Sequence, residues 1–475
     1  MNDDVRIPLS HQRILLSLYP HPTCKSTGYP GRNTMDTAAL LERTGELIWG
    51  PWTAAVILLG GIWLSVRTGC PQLLGAKDWW HATAGSLLHR RERTDGISPF
   101  QSATAALAGS LGTGNIVGVA LAIGTGGPGA IFWMWAAAIP GMAIAYAENV
   151  LGIRCRQRAA DGQWTGGPMM YMRRLTGNGR LAAMWAGLCA AAALCIGNLV
   201  QVNSIAAAAK DAWSVPPWVM GAALCAAAAP AILGGTRSVA KLTERLVPLM
   251  ALIYILACGA VIALNLPKLP EAMGRIFTEA FRPRSVGGGM LGVMLTGIRR
   301  GVFTNEAGMG TSVLIHCTAE VQDPREQGYW SIFEIFADTI LMCTLTALAI
   351  LTSGADRIAA DAAMTAETFR CLFGSASGSF CAAATLLFAF ATVIGWSCCG
   401  ERAFAYLFGE RATVGYRMLY VLLIIPGCVM DTGMVWAASD ILNAMLMLPN
   451  LAAVILLWRR ESEHCPVLSP KAEYL

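Results

Sequence analysis

The sequence predicts an all-α integral membrane protein of about eleven membrane-spanning helices, arranged as two five-helix halves of opposite orientation behind one extra N-terminal helix. Three observations carry this. Of 475 residues, 55% are hydrophobic and only 14% charged, with a mean hydropathy of +0.50, whereas a soluble domain carries about 25% charged residues. Apolar runs of about 20 residues, the length that crosses a bilayer as a helix, recur along the chain. The second and the seventh of these runs are interrupted by glycines and short polar residues, in corresponding places of the two halves.

In chain order, residues 1–45 form a polar extension without the basic-then-apolar pattern of a signal peptide. Met35 opens MDTAALLERTGELIWG, a plausible start, so residues 1–34 read as a dispensable extension or a misassigned start. Residues 46–98 hold the first span and a cytoplasmic loop. The first five-helix repeat follows at 99–266, an interfacial segment at 267–285, the second repeat at 286–458, and a cytoplasmic tail at 459–475. The spans fall near 47–66, 99–124, 129–153, 182–208, 216–236, 245–266, 286–315, 328–352, 377–404, 413–432 and 436–458. Amphipathic stretches near 268–284 and 355–373 suit the membrane surface.

The basic residues set the expected orientation. Arg67, Lys77, Arg90, Arg91, Arg93, Arg154, Arg156, Arg158, Arg173, Arg174, Arg237, Lys241, Arg402, Arg411, Arg459 and Arg460 fall on one side of this arrangement; the other side is much poorer in them. The positive-inside bias places the richer side in the cytoplasm, with the N-terminus outside and the C-terminus inside a plasma (inner) membrane. The net charge of +5 gives no sign of nucleic-acid binding. Most of the 15 cysteines lie in apolar runs (Cys195, Cys225, Cys258, Cys343, Cys381) and read as small, reduced hydrophobes.

The interrupted runs bear on function. In 101–129, Gly109, Gly112, Gly114 and Gly118 crowd the middle, with Ser110, Thr113 and Asn115 between them. Glycine weakens a helix interior by about 1 kcal/mol against alanine. Backbone groups that leave a helix in hydrocarbon must find other partners. A small-residue packing face would have the same composition. The stretch 286–315 repeats the pattern at Gly297, Gly301, Gly308 and Gly310 and adds Arg299, Arg300 and Glu306. Paired interruptions in inverted halves point to a midplane binding site of a secondary transporter.

GTGNIVGVALAIGTGGPGAIFWMW (112–135) resembles the signature of the alanine/glycine:cation symporters, the sodium:alanine symporter family. TGGPMMYM (165–172), GNLVQVNSIA (197–206), RGVFTNEAGMG (300–310), EIFADTILMCTLTAL (334–348), GWSCCGERAFAYLFG (395–409) and SDILNAMLMLPNL (439–451) fit it in order. The resemblance implies a leucine-transporter-type 5+5 inverted repeat with two broken helices and one extra N-terminal helix. It also implies uptake of small neutral amino acids, alanine and glycine, with a co-transported sodium ion. Cys398–Cys399 stand where the family carries an aromatic pair, which bears on substrate preference.

The expected site residues follow. Thr113, Gly114 and Asn115 would cradle the substrate carboxylate with freed amides, although Asn115 also suits a helix cap. Asn198 and Gln201 are three apart and share a helical face; the resemblance makes Gln201 a substrate contact. Phe303 and Trp396 would wall a small side chain. A carbonyl near Gly112 and the Thr392 hydroxyl would ligate sodium, unless Thr392 back-bonds its own helix. Arg300 and Glu306 are candidates for a gate or an ion pair, with Arg299 as the other possible partner. Glu334 and Asp338, at i and i+4, could hold a cation, share a proton or pair with arginines. Glu148 and Glu401 beside Arg154 and Arg402 read as structural.

Other classes fare poorly. The six histidines form no HExxH motif, and neither GxSxG nor a phosphate-binding P-loop occurs, so neither an enzyme nor ATP drive is expected from this chain. No ring of like groups suggests a channel. A proton-coupled amino-acid transporter of the same architecture is the close alternative.

Overall fold

The computed structural model describes residues 43–45, 47–88, 96–159, 162, 164–282, 289–360 and 363–464. Residues 1–42 of the polar extension, the loop arginines Arg90, Arg91 and Arg93 and the end of the tail lie outside them.

Helix α1 (Pro51–Thr68) opens with proline at its first position, where no amide hydrogen is needed, and closes on left-handed Gly69. Helix α2 (Pro99–Ser110) starts with a capping box: the Ser98 hydroxyl accepts from the Gln101 amide and the Gln101 side chain accepts from the Ser98 amide, each at 3.1 Å. It bends by 52° into α3 (Gly114–Gly126). Then come α4 (Gly129–Cys155), a two-stranded ribbon (Gln157–Arg158 with Trp164–Thr165) and the short α5 (Pro168–Thr176). Next are α6 (Arg180–Trp213), α7 (Pro217–Leu233), α8 (Thr236–Leu264) and the amphipathic α9 (Leu269–Glu279). The second interrupted run becomes α10 (Gly289–Asn305) and α11 (Thr311–His316). The chain continues through α12 (Pro324–Ser353), α13 (Ser377–Phe408), α14 (Glu410–Val429) and α15 (Thr432–His464).

Among the described residues, seven helices are long and apolar enough to cross a membrane, and eight if the α2–α3 pair counts as one span. The other three expected spans are present as shorter or broken helices: α1 has 18 residues, α7 has 17, and α10–α11 is interrupted. Within the expected surface stretch at 268–284, residues 283 and 284 lie outside the described residues and Leu269–Glu279 forms α9. Its Arg275 reaches Asp356 at 2.7 Å and Glu279 at 3.2 Å, tying it to the turn after α12.

The centre is built around α4, which packs on α1, α10 and α12, and around α13, which packs on α2 and α6. Small residues allow these approaches. A side chain at Gly395 would meet the Gly109 amide at 2.7 Å, so α13 and α2 touch backbone to backbone. By contrast α8 has only a third of its best apolar window (33%) buried and presents leucines outward (Leu249, Leu252, Leu256, Leu264), as a lipid-facing helix does.

The second interruption lies later than its glycines suggest. Gly297 and Gly301 remain helical and pack closely on Ala130, Trp133 and Met134 of α4. The backbone leaves the helix at Glu306, Gly308 and Gly310, all in the left-handed region with φ of 55°, 85° and 79°. Its freed groups are satisfied locally: the Asn305 side chain accepts from the Ala307 amide (3.1 Å) and Asn450 donates to the Gly308 carbonyl (2.8 Å).

Three helices also contain a π turn, at Gly114–Gly118 in α3, Cys195–Leu199 in α6 and Phe336–Cys343 in α12.

Candidate functional site

The two breaks face one another across a cavity. The end of α2 and the start of α3 supply Gly109, Ser110, Gly112, Thr113 and Gly114. Ile196 and Gln201 come from α6, Phe303 and Thr304 from α10, Glu306 from the second break, and Thr392 and Trp396 from α13. Its volume is about 10 Å³, close to what a single water needs.

At the first break the chain bends because α2 stops at Leu111, whose ψ of 76° is non-helical. Thr113 then presents both its amide (3.5 Å) and its hydroxyl (3.2 Å) to one oxygen, Gln201 Oε1. The other end of Gln201 is anchored, Nε2 donating to the Ile196 carbonyl at 3.1 Å. Two donors converging on one oxygen, here Gln201 Oε1, form a geometry that also suits a carboxylate oxygen.

Asn115 departs from the expected cradle. It is fully buried, but its side-chain amide donates to Asp338 Oδ1 (2.7 Å) and to the Asp338 carbonyl (3.0 Å). The π turn at Gly114–Gly118 faces it toward α12, and it does not line the cavity. Asn198 likewise parts from Gln201. The π turn at Cys195–Leu199 widens the helix between them, and Asn198 donates to the Tyr420 carbonyl at 2.6 Å.

Trp396 is 1% exposed and lies between glycines of two helices. A Cβ added at Gly109 would lie 3.7 Å from its Cδ1, and one added at Gly197 would collide with its Cβ and Cγ. Its indole nitrogen donates to Glu306 Oε1 at 2.7 Å, while the Thr311 hydroxyl donates to Oε2 at 2.5 Å. Phe303 is stacked on Trp436 with centroids 5.2 Å apart. Both aromatic walls are therefore held from behind.

Thr392 back-bonds its own helix and also reaches the first break. Its hydroxyl donates to its own helix at Phe388 O (3.2 Å) and reaches Leu111 O at the first break (3.5 Å). A side chain at Gly112 would strike that hydroxyl at 2.6 Å, so glycine there lets Thr392 approach the broken backbone.

The intramembrane charges are arranged differently from the arginine pairings considered above. Arg299 pairs with Asp440, and Arg300 lies over the Trp436 ring (5.8 Å). Glu306 takes its hydrogen bonds from Thr311 and Trp396 instead. Glu334 bonds to His316 Nε2 (3.1 Å) and accepts from the Ser110 hydroxyl (3.3 Å). Asp338 accepts from Asn115 and Thr339. Glu148 accepts from Asn450 (2.5 Å), and Glu401 makes a two-point pair with Arg417 (2.9 and 2.5 Å). Arg402 donates to Thr236.

Sequence reasoning missed Gly109, Ser110, Ile196 and Thr304 as lining residues, and His316 as the partner of Glu334. Ser110 and Gly109 lie within the glycine-rich stretch and were within reach; Ile196 and His316 carry no local signal.

Fold and site together define a multi-pass membrane transporter whose buried cavity lies where two helices surrender their regular backbone hydrogen bonds. The profile of the sodium:alanine symporter family matches residues 34–465, and the chain belongs to that family, whose members couple an amino acid to a cation. Similar proteins include the sodium/alanine symporter AgcS of Methanococcus maripaludis, 37% identical over 89% of this chain and 95% of its own. The probable sodium/glutamine symporter GlnT of Bacillus subtilis is 33% identical over 87% of this chain and 86% of its own. The crystal structure of MhsT in complex with L-phenylalanine shares the fold, with a TM-score of 0.55 at 14% identity over 76% of this chain and 89% of that one.

Proposed function

We propose that the protein is a secondary active symporter that imports small neutral amino acids, alanine and glycine, together with sodium. The observation that carries this reading is the cavity between the two breaks. At one end two converging donors on Thr113 hold Gln201 Oε1, and a substrate carboxylate would take that oxygen's place. The other is closed by Phe303 and Trp396, rings held from behind that admit a hydrogen or a methyl and clash with a bulky side chain. The Methanococcus relative is named a sodium/alanine symporter, which supports the same substrate. Gly114 and Gln201 complete the substrate site; the Gly112 segment and Thr392 form the sodium side. Asn115 acts behind it, tying the broken helix to Asp338.

In this reading 99–266 and 286–458 are inverted repeats that rock about the shared cavity, with the first helix outside them, the N-terminus outside and the C-terminus in the cytoplasm. Proton coupling is the second reading. The buried His316–Glu334 pair, one hydrogen bond from the cavity through Ser110, favours it, and a Bacillus subtilis relative is named a putative sodium/proton-dependent alanine carrier.

The test is uptake of labelled alanine and glycine into proteoliposomes with sodium, lithium or choline outside. Sodium-stimulated uptake is expected. Uptake that survives loss of the sodium gradient but not of a proton gradient selects the second reading. Ion current without substrate at channel rates excludes symport. Gln201→Ala is expected to abolish alanine binding in a folded protein, and near-normal uptake by that variant rejects this pocket.

A further inference from the structure

We infer that Glu306 is the anchor for the substrate's ammonium group, an assignment that rests on the amino-acid reading of the cavity. Four observations lead there. Glu306 is the one charged side chain among those lining the cavity. Its backbone takes the left-handed conformation, φ 55°, that a non-glycine residue rarely adopts, and it does so at the break itself. Both carboxylate oxygens are fixed in place, Oε1 by the Trp396 indole and Oε2 by the Thr311 hydroxyl. Finally, none of the ion pairs among the described residues brings a lysine, arginine or histidine to it.

A carboxylate in this setting needs a cation. Each of its oxygens accepts one hydrogen bond from the protein and has capacity for another. A primary ammonium, compact and with three donors, matches that capacity. Sodium is the other cation on hand, but its candidate oxygens, the Thr392 hydroxyl and the Leu111 carbonyl, lie together at the first break. Glu306 is instead bonded to Trp396, the wall of the substrate side. A zwitterion then finds donors on Thr113 for its carboxylate and an acceptor on Glu306 for its ammonium. The same carboxylate fixes the ring that limits side-chain size, so charge recognition and size selection meet in one residue.

The substitution that separates these roles is Glu306→Gln. The amide oxygen still accepts from the Trp396 indole, so the wall stays supported while the charge is lost. With purified protein in sodium, we expect alanine binding to weaken by about ten- to 100-fold, the range for losing a hydrogen bond to a charged group. The sodium concentration for half-maximal stabilisation against heat should stay within about twofold, because the ion's oxygens are untouched. L-lactate, which carries a hydroxyl in place of the ammonium, is the matched probe: the wild type should prefer alanine strongly, and Glu306→Gln should lose most of that preference. Glu306→Asp, which keeps the charge, should retain it. Unchanged alanine affinity in Glu306→Gln overturns the assignment, as does an equal loss of alanine and lactate. Should Glu306→Gln fail to fold, equal binding of lactate and alanine by the wild type overturns it, and a preference for alanine retained by Glu306→Asp supports it. Absence of alanine binding by the wild type would instead sink the amino-acid reading itself.

Discussion

Replacing Gly197 with alanine tests whether the Trp396 wall sets substrate size. Gly197 lies in the π turn of α6. A methyl there would land on Trp396 Cβ, 2.5 Å from Cγ and 3.0 Å from Cδ2. Ordinary carbon contacts begin near 3.5 Å, so the ring must shift by about 1 Å. Trp396 is already 1% exposed and lines a cavity of about 10 Å³. Displacement of that size consumes space the substrate needs. Overpacking of this kind costs about 1–3 kcal/mol, which corresponds to roughly five- to 150-fold in affinity if it falls on the bound state. Alanine, with its extra methyl, should suffer more than glycine. The assay is competition between the two for uptake into proteoliposomes, with thermal melting in detergent as the control for folding. Unchanged affinity for both substrates in a normally folded Gly197→Ala protein would refute the reasoning.

Three further outcomes are expected. His316→Ala leaves the buried Glu334 carboxylate without its imidazole hydrogen-bond partner and should destabilise the protein by about 1.5–3 kcal/mol; an unchanged melting temperature contradicts the pairing. Arg417→Ala removes both hydrogen bonds from Glu401, whose side chain is 7% exposed, and should cost about 1.5–3 kcal/mol. It joins α13 to α14, away from the cavity, so alanine affinity in the remaining folded protein should not move. Thr392→Val keeps the side-chain shape but deletes the hydroxyl facing Leu111 O. About tenfold more sodium should be needed for half-maximal uptake, the loss of one hydrogen bond's worth of affinity, with little change in the alanine requirement at saturating sodium. An unaltered sodium dependence removes Thr392 from the ion site.

Much of this architecture could be read from the chain because its cause is local. The bend after Ser110 follows from the glycines and short polar residues around it. Trp396 and Phe303 were found through motifs, and the cavity holds both. What could not be read depends on where helices meet. Gly297 and Gly301 look like breaks in sequence but serve close packing on α4, whereas the backbone turns at Glu306, a residue with no intrinsic liking for that conformation. The spacing of Asn198 from Gln201 and of Glu334 from Asp338 implied shared faces, an inference that holds only for a regular helix. Asp440 as the partner of Arg299 and His316 as that of Glu334 come from other helices, and no spacing rule reaches them.

The π turns have a consequence for how this chain tolerates insertion and deletion. Each turn accommodates a residue more than an α-helix would use over the same rise. Deleting one residue within Cys195–Leu199 would let α6 close into regular helix without shortening the span. The residues beyond would keep their facing, whereas the same deletion in a regular stretch of α6 would rotate them by about 100°. With the deletion inside the π turn Gln201 would stay on the cavity, while a deletion in the regular helix just beyond Leu199 would swing it off. What these helices preserve is angular phase more than length. A cysteine-accessibility scan through α6 and α12 should therefore register a jump in its periodicity at Cys195–Leu199 and again at Phe336–Cys343. Single-residue deletions there should be tolerated better than deletions one turn away, which change the facing of the cavity residues.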